Sequence, residues 1–271
     1  MRYDAAPVNP APVNTVSTVN TRRSLSAGPL AVVASTDEVL RHPLAGPHLL
    51  TEEERARAAR FHRESARRDF VAAHVLVRLC AGRLLGVDPA RLAFAQHCPA
   101  CRAAGHGRPL LTDRPDVYLS LAHTDGVVAA AAGHVPVGID VERRVRGRGA
   151  EVMRRVLTAA EFDLVAAHSD PDHAFLRQWV RKEALIKIGR TDLDSLGLLD
   201  LSALPLDADR IPLRFEDLYV LDLTDCRRDD LVAAVSVKPC GAPGFRPARP
   251  SPPLVALLDV GHTPGIIRTS F

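Results

Sequence analysis

Apolar positions along the chain switch between two periods, and the switches mark its elements. Leu30 to Val33 is a short apolar run that reads as a first strand. From Ser65 to Leu85 the residues Phe70, Val71, Val75, Val77 and Leu79 recur at helical spacing, and Gly86 stops the helix. A shorter helix precedes it. Thr51 supplies an N-cap, Glu52 and Glu53 lie in the first turn, and Glu54 sits at the capping-box position, with the helix running through Arg55, Arg57, Arg60 and Phe61. Val117–Thr124 and Val127–Ala132, separated by Asp125-Gly126, predict a hairpin. Val137, Ile139 and Val141 then alternate with Gly138, Asp140 and Glu142, the period of a strand. Helices follow over Glu151–Leu157, from Thr158 by a second capping box, and over His173–Lys187. Ile211–Phe215, Tyr219–Leu223 and Leu231–Val237 close the pattern as strands. Both ends lack it. Residues 1–29 (Pro, Asn, Thr and Ser) and 241–271 (Pro and Gly) predict disordered tails.

The alternating strand carries chemistry. Asp140 and Glu142 point to one face, where two carboxylates repel and are costly to bury without a cation. Hard oxygen donors in that arrangement suit Mg²⁺. In the last helix, Glu183 and Lys187 are four apart and share a face, while Trp179, Leu185 and Ile186 supply an apolar stripe. Folding that helix on that strand gathers three acids and a lysine. A solvated strand face and an exposed Glu/Lys pair are the plainer reading of either half alone.

Composition narrows the classes. The 271 residues allow one large or two small domains, and 46% hydrophobic content is ordinary for a globular chain. No apolar run spans a bilayer and no signal-peptide layout opens the chain, so a cytoplasmic location and no membrane partner are expected. A net charge of +3 does not argue for nucleic acid. Five cysteines, an odd number, argue against a disulfide framework. Cys98 and Cys101 have zinc-knuckle spacing, and His97 or His106 is near, but no second Cys-x-x-Cys pair follows; a reduced loop is expected there.

Val-Gly-Ile-Asp-Val-Glu at 137–142, followed about forty residues later by Trp-x-x-Lys-Glu-Ala-x-x-Lys at 179–187, resembles the Sfp-type 4′-phosphopantetheinyl transferases. Arg60-Phe61, Gly107-Arg108-Pro109 and Ala122-His123-Thr124 extend the likeness over about residues 30–238; Ala122 lacks the hydroxyl that the family carries there. The resemblance implies an α+β fold of two similar halves related by a pseudo-twofold, residues 30–135 binding coenzyme A and 136–240 carrying the metal and catalytic motifs, with the active site between them. It implies transfer of phosphopantetheine from coenzyme A to a serine of an acyl or peptidyl carrier protein, with release of 3′,5′-adenosine bisphosphate, by a monomer. It further implies Mg²⁺ on Asp140, Glu142 and Glu183, Glu183 and Lys187 as catalytic groups, and Arg57, Arg68, Arg108, His123 and Lys182 as coenzyme A contacts. The alternatives are a Mg²⁺-dependent nucleotide-diphosphate hydrolase and a non-catalytic module that binds coenzyme A or a carrier. Broad-specificity service to secondary metabolism follows from the same likeness.

Overall fold

The computed structural model describes residues 28–98, 101, 103, 105–144, 150–208, 210–223 and 230–238. The two tails, apart from Gly28 and Pro29, and residues 145–149 between the acid strand and the next helix lie outside them. The described chain is mixed α and β.

Strand β1 (Leu30–Ser35) leads into α1 (Thr36–Leu40), then α2 (Glu52–Ala58) and the long α3 (Glu64–Leu85). A small ribbon of β2 (Phe94–His97) and β3 (Arg108–Leu111) precedes the hairpin β4 (Tyr118–Thr124) and β5 (Val127–Gly133). The second half starts at β6 (Val137–Arg143) and continues through α4 (Ala150–Val156), α5 (Ala159–Ala167) and α6 (Pro171–Lys187). Strands β7 (Leu213–Phe215), β8 (Leu218–Asp222) and β9 (Leu231–Val237) end it.

The two main sheets use one connectivity. In the first, the order is β1-β5-β4; in the second it is β6-β9-β8-β7, all antiparallel. In each half the opening strand pairs with the last strand of a closing hairpin, and the long helix between them covers the sheet. Strand alternation then sorts side chains into layers. Val32, Ala34, Val128, Ala130 and Ala132 face Ala72, Leu76, Leu79 and Cys80 of α3. Ala31, Val127, Ala129 and Ala131 turn the other way and meet Val137, Ile139, Val141, Ala233 and Val235. That central layer is alanine and valine almost throughout, so the two sheets approach closely. Val232 and Ala234 leave the layer for Leu176 and Val180 of α6.

Two of the predicted caps form as read. Thr51 and Thr158 each accept from the amide three residues on, and Glu54 and Glu161 reciprocate. Ser35 and Glu38 make a third capping box, at α1, which the sequence pattern did not reveal because only five residues follow it. The short ribbon β2–β3 was also not predicted. Helix α2 ends at Ala58, before Arg60 and Phe61.

Candidate active site

Period two puts Gly138, Asp140 and Glu142 on the face of β6 opposite the alanine–valine layer, toward α6. Gly138 makes the contact possible. A Cβ there would lie 2.1 Å from the Ala184 carbonyl oxygen, so any side chain would push α6 off the strand. With the backbones in contact, Lys187 reaches across. Its Nζ donates to the carbonyl oxygen of Ile139 and to Asp140 Oδ1, each at 2.8 Å. Asp140 is 7% exposed, and its Oδ2 is buried with no hydrogen-bond partner among the described residues.

Burial is the main cause raising the Asp140 pKa, opposed by Lys187. Glu183, one turn before Lys187, is also raised, first by burial and then by repulsion from Asp140 and Glu142. The sign is that of an acid whose folded pKa exceeds its unfolded value. The native state holds these protons more tightly, so its stability falls as pH rises from the ordinary carboxylate range through the raised pKa values. At neutral pH the ionised cluster is therefore a cost, which a divalent cation would offset. An orphaned Asp140 oxygen beside two further carboxylates is a hard-oxygen donor set and fits Mg²⁺. Glu142 accepts from the Thr124 hydroxyl at 3.3 Å, which ties the end of β4 to the acid strand.

His123, on β4, belongs to the same neighbourhood. Its ring keeps solvent exposure, yet the protein around it lowers its pKa, chiefly by desolvation. Smaller influences come from Asp69, from Lys187 and Arg57, and from Asp140. His123 thus lies within electrostatic reach of both the Asp140–Lys187 pair and helix α2. Arg57 lines a cleft of about 730 Å³ with Glu53, Ala56, Arg60, Phe61, Gly105 and His106. Its guanidinium rests 5.4 Å from the centroid of the Phe70 ring. A buried network holds α2 in place: Glu54 accepts from Arg78 at 2.6 Å, and Arg78 stacks over Phe94 at 4.1 Å. Arg108 extends from β3 toward the end of α6, where its guanidinium is the nearest group to a Cβ built on Gly189, at 3.5 Å.

Two predicted contacts are placed elsewhere. Lys182 is 0% exposed, and its ammonium donates to the carbonyl oxygens of Val156 and Leu196 and to Glu161 Oε2, at 2.7 to 2.8 Å. One residue along a helix is a rotation of about 100°, so the lysine beside Glu183 points to the far side of α6. All three of its donor positions are used there, and it is not offered to a ligand. Arg68 pairs with Asp37 at 2.5 Å on the surface and does not line the cleft. Around α4 and α5, Val156, Leu157 and Phe162 pack into a core, while Val152 is exposed.

The sequence model of the 4′-phosphopantetheinyl transferase superfamily matches residues 136–235, the stretch that holds all three acids and Lys187. A 4′-phosphopantetheinyl transferase of Bacillus subtilis is 27% identical over 179 residues, covering 65% of this chain and 72% of its own. The Sfp transferase of Bacillus subtilis is 27% identical over 193 residues, 70% of this chain and 78% of its own. Residues 136–235 of the chain thus carry the sequence pattern of the 4′-phosphopantetheinyl transferase superfamily, and the chain is similar over most of its length to transferases of that name. A third relative from the same superfamily, the HetI transferase of a Nostoc species, is 27% identical over 196 residues, 69% of this chain and 78% of its own.

The cleft is also lined by Arg60 and His106, which sequence reasoning did not single out as contacts. Arg60 lies three residues after Arg57, and the hydrogen bond from the Arg60 amide to the Arg57 carbonyl at 3.1 Å keeps them on one turn. That spacing was the available signal. His106 had none, because a loop after a ribbon of two short strands sets its position.

Proposed function

We propose that the protein transfers the 4′-phosphopantetheine group of coenzyme A to a serine of an acyl or peptidyl carrier protein, releasing 3′,5′-adenosine bisphosphate. The observation that carries this reading is the pairing of Lys187 with Asp140 on the acid face of β6, together with Arg57 and Arg60 lining the cleft and His123 exposed on β4. A diphosphate with a nucleotide at one end needs that sequence of charges. Arg57 and Arg60 would take the 3′-phosphate, for which the planar guanidinium fork is suited. Arg108 and His123 would flank the diphosphate. Asp140, Glu142 and Glu183 would hold Mg²⁺, which when bound neutralises the diphosphate.

Glu183 accepts the proton of the carrier serine. The serine oxygen bonds to the β-phosphorus, and the bond from that phosphorus to the bridging oxygen breaks. Lys187, anchored on Asp140 and the Ile139 carbonyl, faces the charge that develops on the departing phosphate. Positioning and electrostatics supply most of the acceleration, as in other phosphoryl transfers. The protein acts as a monomer in this reading.

The test is intact-mass spectrometry of an apo carrier protein incubated with the enzyme, coenzyme A and Mg²⁺. A gain of one phosphopantetheine group, about 340 Da, that is lost with EDTA is expected. Coenzyme A cleavage without any carrier would instead indicate a hydrolase. Bound coenzyme A with no turnover on several carriers would indicate a binding module.

The cleft assignment has its own test. Arg57→Ala and Arg60→Ala are expected to raise KM for coenzyme A about tenfold or more, since a hydrogen bond to a charged group contributes about 1.5–3 kcal/mol. KM for 3′-dephospho-coenzyme A should change little. Arg68→Ala, which removes an exposed pair with Asp37, should shift neither by more than about twofold. Equal losses on both forms would remove the 3′-phosphate from these arginines.

A further inference from the structure

Between β2 and β3 the chain makes a connection built from His97, Cys98, Pro99, Ala100, Cys101, Arg102, Ala103, Ala104, Gly105, His106 and Gly107. None of these is a large apolar residue, so the connection has nothing to bury in the core. It is nonetheless folded back on itself. The Cys98 amide donates to the Ala103 carbonyl at 3.0 Å and the Gly105 amide to the Gln96 carbonyl at 3.2 Å. Gly107, at φ +92°, packs so closely on Cys98 that a Cβ would lie 2.5 Å from the Cys98 Cα. Only glycine permits that approach, and its consequence is to return His106 to the two cysteines.

The ligand atoms of Cys98, Cys101 and His106 all lie within 4.8 Å of one another, and Cys101 Sγ is 3.2 Å from His106 Nε2. Among the described residues this is the one group of His, Cys, Asp and Glu side chains so gathered. Both cysteines are thiols rather than half-cystines. We propose that Cys98, Cys101 and His106 bind a zinc ion, with water as the fourth ligand. Two sulfurs and an imidazole nitrogen are soft and borderline donors that select Zn²⁺ over the Mg²⁺ suited to the carboxylates of the active site. The metal supplies the cross-link that the connection lacks in apolar contacts, so binding and local ordering are one event. His106 and Gly105 form part of the cleft wall, and Arg108 follows directly, so the zinc holds the wall that faces Arg57 and Arg60. This consequence for the cleft rests on the proposed function; the zinc site does not.

The test uses the full chain, purified reduced and without chelator, with zinc measured by mass spectrometry of the metal. About one zinc per chain is expected, displaceable by cobalt(II) to give thiolate-to-metal charge transfer and the intense d–d bands of a tetrahedral site. Cys98→Ser with Cys101→Ser should abolish both signals, and His106→Ala should weaken metal retention against a chelator by about tenfold or more. Cys226→Ser with Cys240→Ser should retain the zinc. A folded wild-type protein that holds no zinc and gives no such cobalt spectrum, a Cys98–Cys101 disulfide in the native protein, or loss of zinc only in the Cys226/Cys240 variant would each overturn the site. Circular dichroism separates a lost site from a lost fold in the variants. Zinc present in a protein inactive on every carrier would leave this site standing and count against the transferase reading alone.

Discussion

Glu183→Gln is expected to lower kcat for carrier modification by about 10²–10⁴-fold, the range lost when a positioned general base is removed. The substitution keeps the shape of the side chain and removes its charge. It takes away a carboxylate whose pKa is raised first by burial and then by repulsion from Asp140 and Glu142, so the folded protein should be as stable as the parent or slightly more so. Stability and rate then move in opposite directions, which separates loss of chemistry from loss of structure. In the parent, the rate should fall as pH drops through the Glu183 pKa, because protonation removes the base. A variant with near-parental kcat, or a parent rate that persists well into the acid range, would mean that another group takes the serine proton. KM for coenzyme A should rise as well, because Glu183 is also one of the proposed Mg²⁺ ligands, so the unfolding temperature is the control for structure.

Lys182→Met should cost stability rather than substrate affinity. The ammonium is fully enclosed by the Val156 and Leu196 carbonyls and the Glu161 carboxylate. Removing it leaves the Glu161 charge buried with the Leu201 and Thr158 amides as its remaining partners among the described residues. Breaking one side of a buried ion pair costs about 3–5 kcal/mol. For a chain of this size that lowers Tm by on the order of 10 °C, measured by calorimetry or differential scanning fluorimetry. At a temperature where the variant is folded, KM for coenzyme A should stay within about twofold of the parent. Adding Glu161→Gln should recover part of the loss, because replacing both partners removes the stranded charge. An unchanged Tm with a weakened KM would return Lys182 to the substrate.

The contrast between Glu183 and Lys182 shows where sequence reasoning stops. Both belong to one short motif, and the motif alone suggests that both act on the ligand. Helical geometry sends adjacent residues to different sides, and the sequence does not say which side faces the strand. The structure decides it through Gly138, whose missing side chain lets Ala184 lie on β6 and so turns Glu183 and Lys187 toward Asp140. Arg57 and Arg68 show the same limit. Both are arginines on neighbouring helices; Asp37, more than thirty positions from Arg68, takes one of them, and the cleft takes the other.

The sequence by itself determined what local pattern encodes. Alternation along 137–142 put the two acids on one face. The capping boxes at Thr51 and Thr158 started their helices, and the positions of β1, the hairpin, β6, α6 and the closing strands followed from periodicity. These depend on interactions within a few residues, which a sequence displays directly. Tertiary structure alone decided the partners. It set the repeated strand order of the two sheets and the alanine–valine layer between them. It enclosed Lys182, added Arg60 and His106 to the cleft, and closed Cys98, Cys101 and His106 into one cluster. Each of those joins residues whose separation along the chain, or whose direction around a helix or loop, is fixed only when the backbone has closed on itself.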